Sequence, residues 1–239
     1  MALMHLRVRT GSRSTGAIAA ASAAYICRLG AYGRANLDPV VFVESANMPS
    51  WGAGKLKQLA YWGQADVFER KNGRLFTSAE FSLPRELPAA ARRELAREVC
   101  SRLARTPDGE PLPYLMAIHL GKGNNPHCHL MISERIQDNV NRPPELWFGR
   151  AAVNGRKPET GGARKSALKS PDWIKAAREL LANVTNTFLE QAGISARLDH
   201  RSYAEQGIDR TPGVHLGPAG AARLRRGARS RRAEDLAQH

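Results

Sequence analysis

PHCHLMIS, residues 126–133, decides the reading of the fold. Side chains alternate between the two faces of a strand. In a strand here, His127 and His129 share one face with Met131 and Ser133, while Cys128, Leu130 and Ile132 point the other way. Two imidazoles on neighbouring same-face positions suggest a metal. A third lies upstream: YLMAIHL, residues 114–120, reads as a buried strand ending near His119, and GKGNNP, residues 121–126, is a turn by composition. A hairpin through that turn brings His119, His127 and His129 together. Three neutral imidazoles without a fourth protein ligand make a metal site with an open position. Parity sets a condition. A symmetric hairpin with Leu120 opposite His127 would pair His119 with Cys128, on the wrong face, so the site requires an odd loop or a bulge. Cys128 points into the core and is not expected to be a ligand.

The chain has 239 residues, enough for one large domain or two small ones. Lys and Arg number 36 against 22 acidic residues, a net charge of +14. That favours a polyanionic partner, nucleic acid or an acidic membrane surface. Three cysteines without a CxxC spacing argue against a disulfide framework and for a reducing cytoplasm. AIAAASAAYIC, residues 17–27, is too short to span a membrane, so no membrane insertion is expected. It follows a segment carrying three arginines and is mostly alanine, which does not suit a signal-peptide core.

Away from the hairpin, MHLRVRT (4–10) and RLFTSAEFSL (74–83) alternate as half-buried strands, and VVFVES is a short strand. Helices are expected over about 16–28, capped by Ser14 or Thr15 and stopped near Gly30, over LKQLAYWGQADVFERK, over 88–105 and over 171–191. Residues 149–170, Gly-rich and basic, read as a flexible loop, and the chain closes in an Arg-dense tail. Interspersed helices and tight turns give an α+β class with antiparallel pairing, a central sheet of about five strands with helices packed on it.

Several stretches resemble one family, the MobA/MobL group of plasmid-mobilising relaxases within the HUH endonucleases. They are MALMHLRVRTGSRSTG with AAYICRLGAY, ERKNGRLFTSAEFSLPREL, LPYLMAIHLGKGNNPHCHLMISERIQD, RPPELWF and LDHRSYAEQGIDRTPGVHLGP. They occur in the family's order over roughly residues 1–218. HUH denotes His–hydrophobe–His, here His127–Cys128–His129. The resemblance implies a central antiparallel sheet, an active-site tyrosine near the N-terminus, and a metal held by three histidines. It implies nicking of one strand at a transfer origin, with a covalent 5′-phosphotyrosine that is later resealed. Tyr25 falls at the catalytic position, and its Ala and Ser neighbours leave it accessible; a core tyrosine is the competing reading and Tyr32 the second candidate.

On that footing His119, His127 and His129 hold one divalent ion, Mn²⁺ or Mg²⁺, although three imidazoles also suit Zn²⁺. Glu80 shares a strand face with Phe76, Ser78 and Ser82. It would activate Tyr25, orient a metal histidine, or form a surface ion pair. Arg7 and Arg9, on the polar face of the first strand, are expected to face DNA. Arg150, Arg156, Lys157, Arg164, Lys165 and Lys169 are expected to clamp it. Asp66 and Glu69 are expected on a helix surface with Arg70 and Lys71. Residues 1–218 form the expected relaxase domain, and 219–239 a basic tail opening a linker. Expected partners are single-stranded origin DNA, accessory mobilisation proteins and a conjugation coupling protein, in the bacterial cytoplasm. Two alternatives remain: a rolling-circle replication initiator with the same chemistry, and a metal-stabilised single-strand binding protein that does not cleave.

Overall fold

The computed structural model describes residues 4–33, 38–54, 58–121, 123–152, 157–209 and 226–227. The chain divides into two units, Met1–Asp199 and His200–His239. The expected boundary near residue 218 lies outside the described residues, as does Arg156. Of the second unit the structure describes chiefly a turn, where Ser202 N–H donates to Glu205 Oε2 at 2.8 Å.

The first unit is built on five strands: β1 Leu6–Ser12, β2 Val40–Ala46, β3 Arg74–Ser82, β4 Tyr114–His119 and β5 His127–Ile132. They lie in the order β1-β3-β5-β4-β2, with every neighbouring pair antiparallel. The α+β expectation holds. The helices are α1 Ala19–Cys27, α2 Gln58–Phe68, α3 Ala89–Leu103, the short α4 Pro144–Trp147 and α5 Pro171–Gln191.

Alternation along the strands splits the core in two. On one face Phe81, Cys128, Leu130, Ile132, Met116 and Ile118 pack beneath α3 and α5, through Leu95, Val99 and Leu181 among others. On the other, Leu115, Ala117 and Met131 pack beneath α1 and α2, through Ala19, Ala23, Ile26, Tyr61 and Trp62. Each fully buried side chain of Leu or Phe size contributes about 1.5–3 kcal/mol. Cys128 lies in the first layer, fully buried, its Sγ 3.8 Å from that of Cys100.

The hairpin meets the parity condition through its loop. His119 pairs directly with His127, which leaves Leu120–Pro126, an odd count, to turn the chain. Gly121 and Gly123 adopt φ of +67° and +69°, and Asn124 +56°. At Gly121 any Cβ would run into the backbone carbonyl of Asn125, so this position needs glycine for space as well as conformation.

Several sequence expectations are corrected. Helix α1 starts at Ala19, and neither Ser14 nor Thr15 caps it; those residues close a 3-10 turn with Ser12. The Asp66 carboxylate of α2 caps it instead, accepting from Ala19 N–H at 2.7 Å and Ala20 N–H at 2.8 Å. The helix ends at Arg28, whose φ of +53° takes the left-handed position expected of Gly30. Residues 157–170 are not a flexible loop. Gly161, Gly162, Ala163 and Leu168 are buried, and bridges join Ala151 to Gly162 and Arg135 to Lys165. At Gly162 a Cβ would meet the Gly149 carbonyl, so this glycine marks close packing rather than freedom.

Arg135 organises that segment. Its guanidinium donates to the carbonyls of Phe148, Gly149 at 2.7 Å and Ala163 at 2.8 Å. It also pairs with Glu69 at 2.9 Å, with both side chains almost fully buried. Glu69 is thus an interior residue rather than part of a helix surface. Removing one partner of such a pair costs about 3–5 kcal/mol, because the other charge is left buried and uncompensated.

Candidate metal centre and active site

Pairing places the site residues in two rows across one sheet face. One row runs Ser82–His127–His119–Val40, and the next runs Arg7–Glu80–His129–Ala117–Val43. Ala117 matters as a small residue. It leaves room for His129 beside it to lean toward His119, their ring centroids 4.4 Å apart. The His119–His127 and His127–His129 centroids are 5.4 and 4.9 Å apart.

One potential ligand nitrogen from each ring lies within 4.8 Å of the others. Three atoms so spaced lie within about 2.8 Å of a common point, against metal–nitrogen bonds of about 2.0–2.1 Å, so a small closure suffices. Burial pushes the His119 imidazole down to about 4 and that of His129 to about 3. Both rings are therefore neutral at pH 7, with lone pairs to donate.

Two of the rings also have an orienting hydrogen bond, as metal histidines do. His119 Nε2–H donates to the Ile26 carbonyl at 2.6 Å, and His127 Nδ1–H to that of Asn125 at 2.9 Å. His129 Nδ1 faces Glu80 Oε2 at 3.8 Å, an ion-pair distance longer than a hydrogen bond. The donor set fits a divalent ion.

Tyr25 stands at the edge of this cluster. It is 40% exposed, unlike the buried Ala19, Ala23, Ile26 and Cys27 on the opposite side of α1. Its ring meets that of His129 edge-on at 6.4 Å and that of Tyr32 at 5.5 Å. It is not a core tyrosine. Arg7, Arg9, Tyr25, Tyr32, Glu80 and His129 together line a cleft of about 700 Å³. Edge strand β1 thus carries two exposed arginines to the mouth of the tyrosine cleft.

The other basic residues divide. Arg150, Lys157, Arg164 and Lys169 are exposed, and Arg164 already pairs with Glu110. Lys165 is held within the fold, its Nζ 3.2 Å from Glu69 Oε2 and donating to the Arg74 carbonyl at 3.0 Å. Its ammonium faces the Glu69–Arg135 pair, unlike the exposed cations around it.

One residue escaped the sequence reading. The Arg28 guanidinium lies 4.5 Å from the centroid of the Tyr25 ring and 3.2 Å from His119 Nδ1. The signal was local: an arginine three residues after the tyrosine, at a helix end. Its left-handed backbone had no sequence signature. Among the described residues, no helix is long and apolar enough to cross a membrane.

Comparisons with known proteins agree with this architecture. The chain is 48% identical over 235 residues to "Mobilization protein A" of Escherichia coli, covering 98% of this chain and 32% of that protein. It is 37% identical over 221 residues to the "43 kDa relaxation protein" of Salmonella typhimurium, covering 88% of this chain and 56% of that one. The chain therefore spans between a third and somewhat over half of those relatives. A solved structure described as "Molecular Basis of Vancomycin Resistance Transfer in Staphylococcus aureus" matches at a TM-score of 0.63 and 22% identity. It covers 84% of this chain and all of that one, and shows the common fold. The model of the MobA/MobL family matches residues 30–226, more than three quarters of the sequence, and the chain belongs to that family.

Proposed function

We propose that this chain is a relaxase domain that nicks one DNA strand at a plasmid transfer origin, with Tyr25 as nucleophile and a divalent ion held by His119, His127 and His129. The observation that carries the reading is the accessible Tyr25 ring 6.4 Å from that of His129, in a cleft flanked by Arg7 and Arg9. The similarity to mobilisation and relaxation proteins supports it over a replication initiator or a non-cleaving binder.

The chemistry is a transesterification. The Tyr25 hydroxyl oxygen forms a bond to phosphorus, and the bond from phosphorus to the 3′ oxygen breaks. The phenolic proton leaves to a base, the departing 3′ oxygen takes up a proton, and the 5′ phosphate remains on Tyr25. Water does not enter, so the 3′ hydroxyl can reverse the step and reseal the strand. A bound divalent ion supplies stabilisation of the charge that develops on the nonbridging oxygens. Mn²⁺ or Mg²⁺ suits the phosphate oxygens that complete the shell, and Zn²⁺ suits the imidazoles. Arg7 and Arg9 bind the strand backbone at the cleft, while exposed Arg150, Lys157 and Lys169 add charge outside it. Glu80 faces the second nitrogen of His129 and would hold it once the ion draws the ring in, and a base role toward Tyr25 is open to it as well.

The partners proposed with this activity are single-stranded origin DNA, accessory mobilisation proteins and a coupling protein of the conjugation machinery, in the bacterial cytoplasm. Residues 1–218 carry the activity, and 219–239 are a basic tail. The test is Tyr25→Phe, which removes the attacking oxygen and little packing. With a labelled origin strand and Mn²⁺, the variant should form no covalent adduct yet bind the strand with near wild-type affinity. Undiminished adduct would transfer the role to Tyr32 or end the mechanism.

A further inference from the structure

Arg28 is held at four points. Its Nη1 donates to the Tyr25 carbonyl at 3.0 Å, its Nε to the Asp38 carbonyl at 3.2 Å, and its plane covers the Tyr25 ring. The fourth contact is with His119 Nδ1, at 3.2 Å from Nη2. A guanidinium can only donate hydrogen bonds. His119 Nδ1 must therefore accept, and Nε2 carries the proton that goes to the Ile26 carbonyl at 2.6 Å. The backbone contact fixes which nitrogen is left for an ion. A metal histidine keeps its N–H on a carbonyl and offers the other nitrogen. For His119 that nitrogen is Nδ1, the one Arg28 occupies. His127 and His129 are free of this conflict, because their Nδ1 atoms face Asn125 and Glu80, which leaves Nε2 as the nitrogen to offer.

We propose that Arg28 and the divalent ion compete for the His119 Nδ1 lone pair, and that Arg28, once displaced, is the guanidinium that receives the phosphate beside Tyr25. This rests on the metal role proposed for the three histidines. The two cations cannot share one lone pair, and their charges repel at this range. The displaced side chain has a nearby destination. It already lies against the tyrosine ring, within a side chain's reach of a phosphodiester at the hydroxyl, and guanidinium–phosphate pairing is geometrically favourable. Arg28 is a positioning residue for His119 and contacts substrate only after the ion displaces it.

The competition makes two effects run in opposite directions, which loss of structure alone would not do. Arg28→Gly retains the left-handed backbone at no steric cost. Arg28→Gln removes the charge while keeping a polar side chain. Mn²⁺ binding is read from the free-ion EPR signal in the absence of DNA, with His127→Ala as the control that locates the ion at the cluster. Both Arg28 variants should bind Mn²⁺ about three- to tenfold more tightly than wild type, the range set by loss of one competing hydrogen bond. At saturating Mn²⁺ both should form adduct with an origin strand at least about tenfold more slowly, since a transition-state contact is lost. If Arg28→Gly does not fold, as judged by circular dichroism, Arg28→Gln decides. Tighter binding by the variants, including binding where wild type shows none, supports the competition. Equal or weaker binding overturns it while leaving the metal centre intact. No binding by wild type or variants overturns the metal centre and the competition together. Tighter binding with unchanged adduct rate overturns the phosphate role of Arg28.

Discussion

The residues of the centre are set by their neighbours as much as by their own type. His129 faces Glu80, directly across the β3–β5 pair, and has room from Ala117 on the other side. Glu80 Oε2 stands 3.8 Å from His129 Nδ1 and closes to hydrogen-bond range if the ion draws the ring in. Glu80→Gln keeps the shape and removes the negative charge that strengthens the imidazole as a ligand. Mn²⁺ affinity should fall about 10–100-fold, as it does when such outer partners are lost. Titration by calorimetry checks this. If affinity is unchanged while adduct formation collapses, Glu80 acts on Tyr25 and not through His129. The triad was legible in sequence because two histidines share a strand face and a third ends the preceding strand, with parity demanding an odd loop between them. Arg28 was not, because its place depends on a left-handed helix end that no local pattern of Ala, Ile and Cys announces.

At the scale of elements, the tyrosine is aimed by a helix whose cap comes from another helix. Asp66 binds two N–H groups at the start of α1, and its charge also complements the positive end of that helix. Sequence reasoning sought the cap within a few residues of the helix, where caps usually lie, and so selected Ser14 or Thr15. A cap from 46 residues downstream has no local signal. Asp66→Ala should cost about 1 kcal/mol, a fall in melting temperature of about 2–4 °C. Its effect on chemistry should be larger than on metal binding, since the histidines stand on β4 and β5 rather than α1. A melt, an Mn²⁺ titration and an adduct assay on one preparation separate the three. The β4–β5 turn is the converse case. Gly121→Ala would strain a left-handed residue against Asn125 and shift His127 relative to His119. It should weaken Mn²⁺ binding and leave Tyr25 in place, measurable as lost affinity that excess Mn²⁺ restores.

For the whole molecule, the net charge of +14 promises a polyanion but does not say which cations meet it. Composition made 149–170 the obvious clamp, being rich in Gly, Arg and Lys. Packing gives part of it a role in the fold. The glycines at 161 and 162 admit close backbone contacts, and Lys165 faces the buried Glu69. The exposed arginines of β1 instead lie beside the tyrosine cleft. These two sets should respond differently to mutation. Each phosphate contact to a single strand contributes about 0.7 to the log–log slope of affinity against salt. Replacing Arg7 and Arg9 together with Ala should flatten that slope by about 1.4, with little change in melting temperature because both side chains are exposed on an edge strand. Lys165→Ala should leave the slope near wild type and lower the melting temperature, since the buried Glu69 would lose one of its two cationic partners. Salt-dependent binding to a single strand, run beside thermal melts, separates charge that meets DNA from charge that holds the fold. A flattened slope for Lys165→Ala with an unchanged melt would return that lysine to the DNA surface.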